Sequence, residues 1–320
     1  VAETITAPIL TLTLNPTIDL SSHADVVRPT HKIRTSDESF EPGGGGINVA
    51  RVVAELGGAA ELVYFAGGVT GAFLDELLGT IGLSGHRIPI AGQTRIAHTV
   101  HEHQTGLEYR FVPEGPAVSE AELDACVALV EAFRGRYIVA SGSLPRGAPA
   151  DIFARLAHIA RRNGVRFVLD SSGACLKTTL ETAEVHLVKP SVGELEKFVG
   201  RPLEEEEVRE AALDLVRRGA AEMVAVTMGA RGALLAHRGG VVRLPTPKVA
   251  VRSAVGAGDS FVGGMTWALA EGWPVEDAFR LGIAAGAAAV MTTGLRLCQR
   301  ADVIRLYGAI ERAPERGKAR

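Results

Sequence analysis

Beyond about residue 115, hydrophobic positions fall into two rhythms that take turns along the chain. Short runs rich in β-branched residues predict strands: YIVAS (137–141), RFVLDSS (166–172), EVHLVKP (184–190) and EMVAVTMG (222–229). Each ends in polar, glycine or proline residues. The segments between them, 119–134, 150–163, 191–199 and 204–219, carry helical patterns. The first of these opens with Ser119 and Glu122, spaced as a capping box. The second ends at Gly164, a natural residue just past a helix. Near the start, ILTLTL (9–14) alternates and predicts a first strand. Alternation of this kind predicts an α/β fold, a parallel sheet flanked by helices on both faces.

Two stretches break the rhythm. Residues 12–41 and 88–113 are strand-rich with no helices between the strands. RIAHTVHEHQTGLEYRFVP (95–113) reads as a hairpin turning near Thr105 and Gly106. Together they predict a small antiparallel β lid, discontinuous in sequence, set into one main domain over 1–320. LGIAAGAAAV (281–290) predicts a buried, closely packed helix, and the charged residues 314–320 a frayed tail.

Composition narrows the function. A net charge of −3 gives no general attraction to nucleic acid or anionic membrane. Aromatics at 5 % leave little for base stacking. No apolar run is long enough to span a bilayer, and no basic, apolar leader opens the sequence. Cys126, Cys175 and Cys298 are scattered without metal or disulfide spacing, which suits a reducing, cytoplasmic setting.

In open α/β sheets, ligands bind beyond the carboxyl ends of the strands. Ser141, Ser143, Asp170, Lys189 and Thr227 fall at those ends. Two glycine-to-helix junctions add to them. EPGGGGINVARVVAELGG (41–58) runs four glycines into a helix with apolar residues at 47, 49, 50, 52, 53 and 56, with Asn48 in the first turn. VGAGDSFVGG (255–264) is a second anion-friendly helix start with a carboxylate, Asp259, beside it. Asp259 has two readings here: a helix cap, or a general base next to a bound phosphoryl group. The stretch has neither the Gly-Lys-Ser/Thr of a Walker loop nor a third Rossmann glycine at 261. In LVKPSVGELEKF (187–198), Lys189 suits a phosphate and Glu194 a hydrated Mg²⁺, or else an ordinary helix N-terminus. TMGARGALL (227–235) is a hairpin turn able to cover a nucleotide. His98, His101 and His103 crowd a lid strand and read as a polar face rather than a metal site.

These pieces, in this order, resemble the ribokinase-like (PfkB) family of sugar kinases over almost the whole chain. GGGGINVARVVAELGG is similar to the family's first signature and VGAGDSFVGGMTWAL to its second. FEPGGGGINVAR, YRFVPEGP, SGSLPRG, LDSSGACL, HLVKP and GLRLC resemble the minor-type 6-phosphofructokinase branch. Relatives acting on fructose 1-phosphate or tagatose 6-phosphate usually carry a lysine where Gly45 stands, yet TLNPTID (13–19) is more similar to those relatives. Two departures stand out. The family's Asn-x-x-Glu is here Ser191-x-x-Glu194, and Thr292 stands where close relatives often carry asparagine.

The resemblance implies Asp259 as catalytic base, with the amides of Gly256, Ala257 and Gly258 as an anion hole. It implies that Lys189, Ser191, Glu194, Thr227, Gly229 and Gly232 hold ATP, with Mg²⁺ at Glu194 and a monovalent cation as a further cofactor. Asp19, Lys32, Arg34, Gly44, Asn48, Arg95 and Ser143 match sugar-phosphate contacts, Arg34 reaching a second subunit in a homodimer joined through the lids. The expected reaction is phosphorylation of the 1-hydroxyl of fructose 6-phosphate, a glycolytic step. The alternatives are 1-phosphofructokinase and tagatose-6-phosphate kinase. A basic lid fits a phosphorylated sugar, which brings about two negative charges. Of rivals from other classes, a non-catalytic sensor would be expected to have lost Asp259. A dinucleotide dehydrogenase would need an early glycine fingerprint that TLNPTID lacks.

Overall fold

The computed structural model describes residues 8–292 and 296–311. The expected frayed tail at 314–320, and part of GLRLC, lie outside these residues. Strand β1 (Ile9–Thr13) starts the large sheet, and the chain then leaves it for β2 (Thr17–Ala24) and β3 (Ser36–Gly43). Helix α1 (Gly45–Glu55), β4 (Ala60–Ala66), α2 (Gly68–Thr80) and β5 (Gly85–Pro89) return to it. A second excursion forms β6 (Arg95–Glu102) and β7 (Glu108–Phe111).

The regular alternation follows: α3 (Glu120–Ala132), β8 (Tyr137–Ser141), α4 (Ile152–Arg162), β9 (Arg166–Asp170), α5 (Gly173–Thr182), β10 (Val185–Val188), α6 (Val192–Val199), α7 (Glu205–Arg217) and β11 (Ala221–Thr227). The chain closes with β12 (Ala233–His237), β13 (Gly240–Leu244), α8 (Ala257–Ala270), α9 (Val275–Ala289) and α10 (Arg300–Ala309).

The large sheet has the order β13-β12-β11-β10-β9-β8-β1-β4-β5. It is parallel from β11 to β5, with β12 and β13 antiparallel at one edge. Successive residues of each strand face opposite layers. Leu10, Leu12, Ile138, Ala140, Val224 and Val226 join the core packed with residues of α3–α5 and α7. Ile9, Tyr137, Val139, Met223 and Ala225 join the core packed with α1, α8, α9 and α10. Burial on both faces explains why these strands read as short continuous apolar runs.

Helices α8 and α9 pack at glycine distance: a Cβ at Gly282 would lie 3.0 Å from the Phe261 carbonyl oxygen, and one at Gly286 3.1 Å from that of Ala257. This is the closely packed helix expected at 281–290. The Ser119–Glu122 capping box is present with both of its half-bonds, and Gly164 takes a left-handed φ of 71° just past α4.

The lid is a separate four-stranded sheet, β3-β2-β6-β7. Its two outer pairings are antiparallel. The central pairing of β2 with β6 is parallel, because both excursions leave neighbouring parts of the large sheet in the same direction. Residues 12–13 and 88–89 run in the large sheet rather than in the lid. The turn at 103–107 carries Gly106 at φ 70°. Glu102 ties it down, accepting from Val27 N–H at 2.6 Å, from Tyr109 OH at 3.3 Å and from the Thr105 hydroxyl.

Candidate active site

The chain after β1 runs to β4 on one side of the sheet, whereas β8 lies on the other side of β1. That divergence opens a crevice beyond the carboxyl ends of β1 and β8, the usual ligand position in such sheets. The glycine run fills its floor. Gly44 starts α1 at φ 114°, outside the range of ordinary side chains. A Cβ at Gly45 would lie 2.7 Å from the Ser141 carbonyl carbon, and one at Gly46 2.5 Å from Thr13 Oγ1. Only glycines let the start of α1 sit directly on the ends of β1 and β8. The six apolar α1 positions named from sequence are all buried against the sheet or α8.

Opposite α1, Gly256 at φ 71° turns the chain into α8. Gly258 and Asp259 lie in its first turn, where amides have no partner within the helix. The Ala257 amide reaches only a long 3.5 Å bond to the Ala254 carbonyl. Asp259 is the meeting point of three distant segments. Its Oδ2 accepts from Asn48 Nδ2 at 2.9 Å and its Oδ1 from Ser141 Oγ at 3.2 Å. Arg51, one turn along α1, donates to Asn48 Oδ1 at 3.4 Å, which fixes the amide's orientation. Burial raises the Asp259 pKa; the Asn48 amide, the Lys189 ammonium and the Ser141 hydroxyl offset part of that rise.

Under Gly258 lies an ion pair. Lys189 is 5 % exposed, and its Nζ is 3.2 Å from Asp170 Oδ1 at the end of β9. Burial alone would lower the lysine pKa, but Asp170, Glu194 and Asp259 together raise it. Burial likewise pushes Asp170 up to about 6 despite Lys189, helped by Asp259 and Glu194. Among the described residues only Asp170 touches the ammonium; Glu194 and Asp259 act on it at longer range, beside an anion-attracting helix start. No group of three metal-ligating side chains occurs among the described residues, so a Mg²⁺ here would have few protein ligands and keep most of its waters.

Ser191 and Glu194 form a capping box at α6, with Ser191 N–H donating to Glu194 Oε2 at 2.8 Å and Glu194 N–H to Ser191 Oγ at 3.3 Å. Glu194 thus occupies the ordinary helix N-terminus that its sequence position also allowed. Strand β11 is held to this turn by a bond from Thr227 N–H to the Pro190 carbonyl, 3.0 Å.

A cavity of about 620 Å³ opens beside the α8 start. Ser191, Thr227, Gly229, Gly232, Ala257 and Gly258 line its polar end, and Val249, Val251, Ile283 and Val290 its apolar walls. Its volume lies within the range of small-molecule sites. Of the residues expected around a nucleotide, Ser191, Thr227, Gly229 and Gly232 line this cavity, whereas Lys189 and Glu194 lie outside its lining.

On the lid side, Asp19 on β2 faces Gly43, where a Cβ would lie 2.5 Å from its Cγ. Burial lifts its pKa from 3.8 to about 6; the Thr17 hydroxyl and the charges of Arg110, Arg51 and Arg95 pull the other way. Arg95 is drawn into the hinge, donating to the carbonyls of Asn15 (2.8 Å), Pro113 (2.9 Å) and Pro16 (3.4 Å). Asn15 Nδ2 bonds the Glu114 carbonyl at 2.9 Å and Ser143 Oγ at 3.3 Å, linking hinge to crevice. Lys32 and Arg34 stand exposed on the loop between β2 and β3, with no ion pair among the described residues. His98 bonds Ser22 Oγ at 2.8 Å, while His101 and His103 both pack on the His23 ring; no metal-binding cluster is found among the described residues.

Sequence reasoning noticed Ser141 and Asp170 only as polar strand ends, and it missed Arg51 and Arg110. Arg51 had a signal, one helical turn from Asn48. Arg110 had none, because its placement depends on the lid's long-range pairing.

Residues 12–302 match the model of the pfkB family carbohydrate kinases. The chain is 44 % identical over 302 residues to ATP-dependent 6-phosphofructokinase isozyme 2 of Mycobacterium tuberculosis, covering 93 % of this chain and 88 % of that protein. Two crystal structures of phosphofructokinase-2 from Escherichia coli are also similar. One is in complex with potassium (TM-score 0.91, 39 % identity) and one with fructose 6-phosphate (0.90, 38 %), each covering 95 % of this chain and 99 % of that one.

Proposed function

The chain belongs to the pfkB family of carbohydrate kinases, and from that premise we propose that it transfers the γ-phosphoryl group of ATP to the 1-hydroxyl of fructose 6-phosphate, giving fructose 1,6-bisphosphate. The observation that carries this reading is the Asp259 carboxylate, bonded through both oxygens to Asn48 and Ser141 between the nucleotide-sized cavity and the lid. Its similarity to the 6-phosphofructokinases supports the choice of sugar.

In this reading Asp259 accepts the proton of the attacking hydroxyl, and the amides of Gly256, Ala257 and Gly258 face the transferring phosphoryl group. Lys189 meets the nucleotide phosphates, and Ser191, Thr227, Gly229 and Gly232 frame the nucleotide. Glu194 and Asp170 would hold a hydrated Mg²⁺, which supplies charge neutralisation at the phosphates. Asp19, Gly44, Asn48 and Ser143 contact the sugar. Its phosphate meets Arg95 and Arg110 with Lys32, and Arg34 reaches a partner's site. Potassium in the Escherichia coli relative supports a monovalent cation as well.

Residues 1–320 act as one kinase domain, its lid closing over the crevice to limit wasteful ATP hydrolysis. Lid-to-lid pairing in a homodimer is supported by exposed apolar side chains there: Phe40 (41 %), Leu107 (56 %) and Phe111 (58 %). No described helix is long and apolar enough to cross a membrane. Three free, buried cysteines suit a reducing compartment such as the cytoplasm.

A coupled assay across fructose 6-phosphate, fructose 1-phosphate and tagatose 6-phosphate tests the assignment. Fructose 6-phosphate is expected to give the highest kcat/KM. Asp259→Asn should lower kcat by roughly 10²–10⁴-fold with both ligands still bound. Near-normal turnover in that variant, or a clear preference for another sugar phosphate, refutes the corresponding part.

A further inference from the structure

A base that takes a proton from a hydroxyl must present one lone pair in a fixed direction, so whatever holds its other lone pairs matters. Asp259 is held at two points by two different elements. Asn48 on α1 takes Oδ2, and Ser141 at the end of β8 takes Oδ1. The two donors differ in their freedom. Asn48 rides on a helix and is itself oriented by Arg51. Ser141 is 3 % exposed and belongs to a strand paired on both sides, with β1 and with β9.

The seat of Ser141 is built around it. A Cβ at position 45 would collide with its Oγ and lie 2.7 Å from its carbonyl carbon and 2.8 Å from Gly142 N, so the hydroxyl occupies space that only a glycine leaves open. Just beyond it, Gly142 takes φ 107° and its N–H donates to the Asp170 carbonyl at 3.0 Å, while Ser171 Oγ donates to the Gly142 carbonyl at 3.0 Å. These bonds anchor the turn that follows Ser141.

We infer that Ser141 is a positioning residue: its hydroxyl fixes the rotation of the Asp259 carboxylate for proton abstraction. The inference rests on Asp259 being the base. The charged groups that act on it come from three elements: Arg51 on α1, Asp170 at the end of β9 and Lys189 after β10; Glu194 on α6 acts on Asp170 and Lys189. Lys189 and Arg51 favour the carboxylate and Asp170 opposes it, and the Ser141 hydroxyl adds to the favouring side.

Ser141→Ala, Ser141→Cys and Asp259→Asn, assayed together, test this. In Ser141→Ala, kcat should fall about tenfold, the size of one hydrogen bond to a charged acceptor. KM for ATP and for fructose 6-phosphate should stay within about twofold. The acid limb of the kcat–pH profile should move up by about one unit, because the carboxylate loses a donor that favours ionisation. Ser141→Cys, with a weaker donor, should fall between the two; should the alanine variant not fold, its limb shift carries the test alone. An unmoved acid limb in a folded variant overturns the inference, as does a raised KM with kcat unchanged, which would make Ser141 a binding residue. Full activity in Asp259→Asn would instead refute the base itself.

Discussion

Asp19 holds its carboxyl against its own fold, and replacing it with asparagine should make the protein more stable at neutral pH. Burial against Gly43 lifts its pKa from 3.8 to about 6, even with three arginines in range. Below about pH 3.8 the carboxyl is protonated in both the folded and the unfolded chain, and it contributes nothing. Between there and about pH 6 the unfolded chain gives up the proton while the fold retains it, so stability falls as pH rises. Above about pH 6 the loss is complete. A difference of roughly two units corresponds to about 3 kcal/mol at most. Asp19→Asn removes the charge and so the loss.

Urea midpoints of the two proteins at pH 8 and pH 4.5 read it directly. The variant should gain up to about 3 kcal/mol at pH 8 and about 1 kcal/mol at pH 4.5. Asp170, also raised to about 6, titrates in both proteins and cancels in the comparison. A gain equal at both pH values, or none at pH 8, refutes the reasoning. The variant's KM for the sugar phosphate should rise, because a charge kept at a cost in stability is expected to serve a ligand.

The two lid arginines should separate cleanly. Arg95→Ala leaves three hinge carbonyls without their donor, so it should lose about 1–3 kcal/mol of stability as well as raise KM for the sugar phosphate. Arg110→Ala should raise that KM with stability within about 0.5 kcal/mol, its side chain being half exposed. Gly46→Ala places a Cβ 2.5 Å from Thr13 Oγ1 and 2.7 Å from the Leu12 carbonyl carbon; a drop of about 1–3 kcal/mol in urea unfolding is expected, and an unchanged midpoint would show that α1 can retreat.

The large sheet was legible because its strands are buried on both faces and its helices carry one apolar stripe each. The helices expected at 119–134, 150–163, 191–199 and 204–219 appear as α3, α4, α6 and α7. Helix α5 was not foreseen: GACLKTTLET begins with glycine and is threonine-rich, so only its packing against α4 and α6 declares it. The parallel pairing of β2 with β6 was equally hidden, since its partners lie 78 residues apart at Thr17 and Arg95. Asp259 and Asn48 stood out through their glycine-rich surroundings. Ser141 did not, because a serine at a strand end is ordinary until the opposing carboxylate is in place.

The position of β1 has a consequence for biosynthesis. It is the first of the described strands to leave the ribosome, yet it lies inside the sheet between β4 and β8. Its pairing is half complete once residues 60–64 exist, and fully so only after 137–140. Asn48 waits longer still, 211 residues, for Asp259. At about 5–20 residues per second that is roughly 10–40 s. Through that interval the apolar face of α1 that α8 will cover is open to solvent and to other nascent chains. The sequence closes this exposure last, with the same helix that delivers the carboxylate.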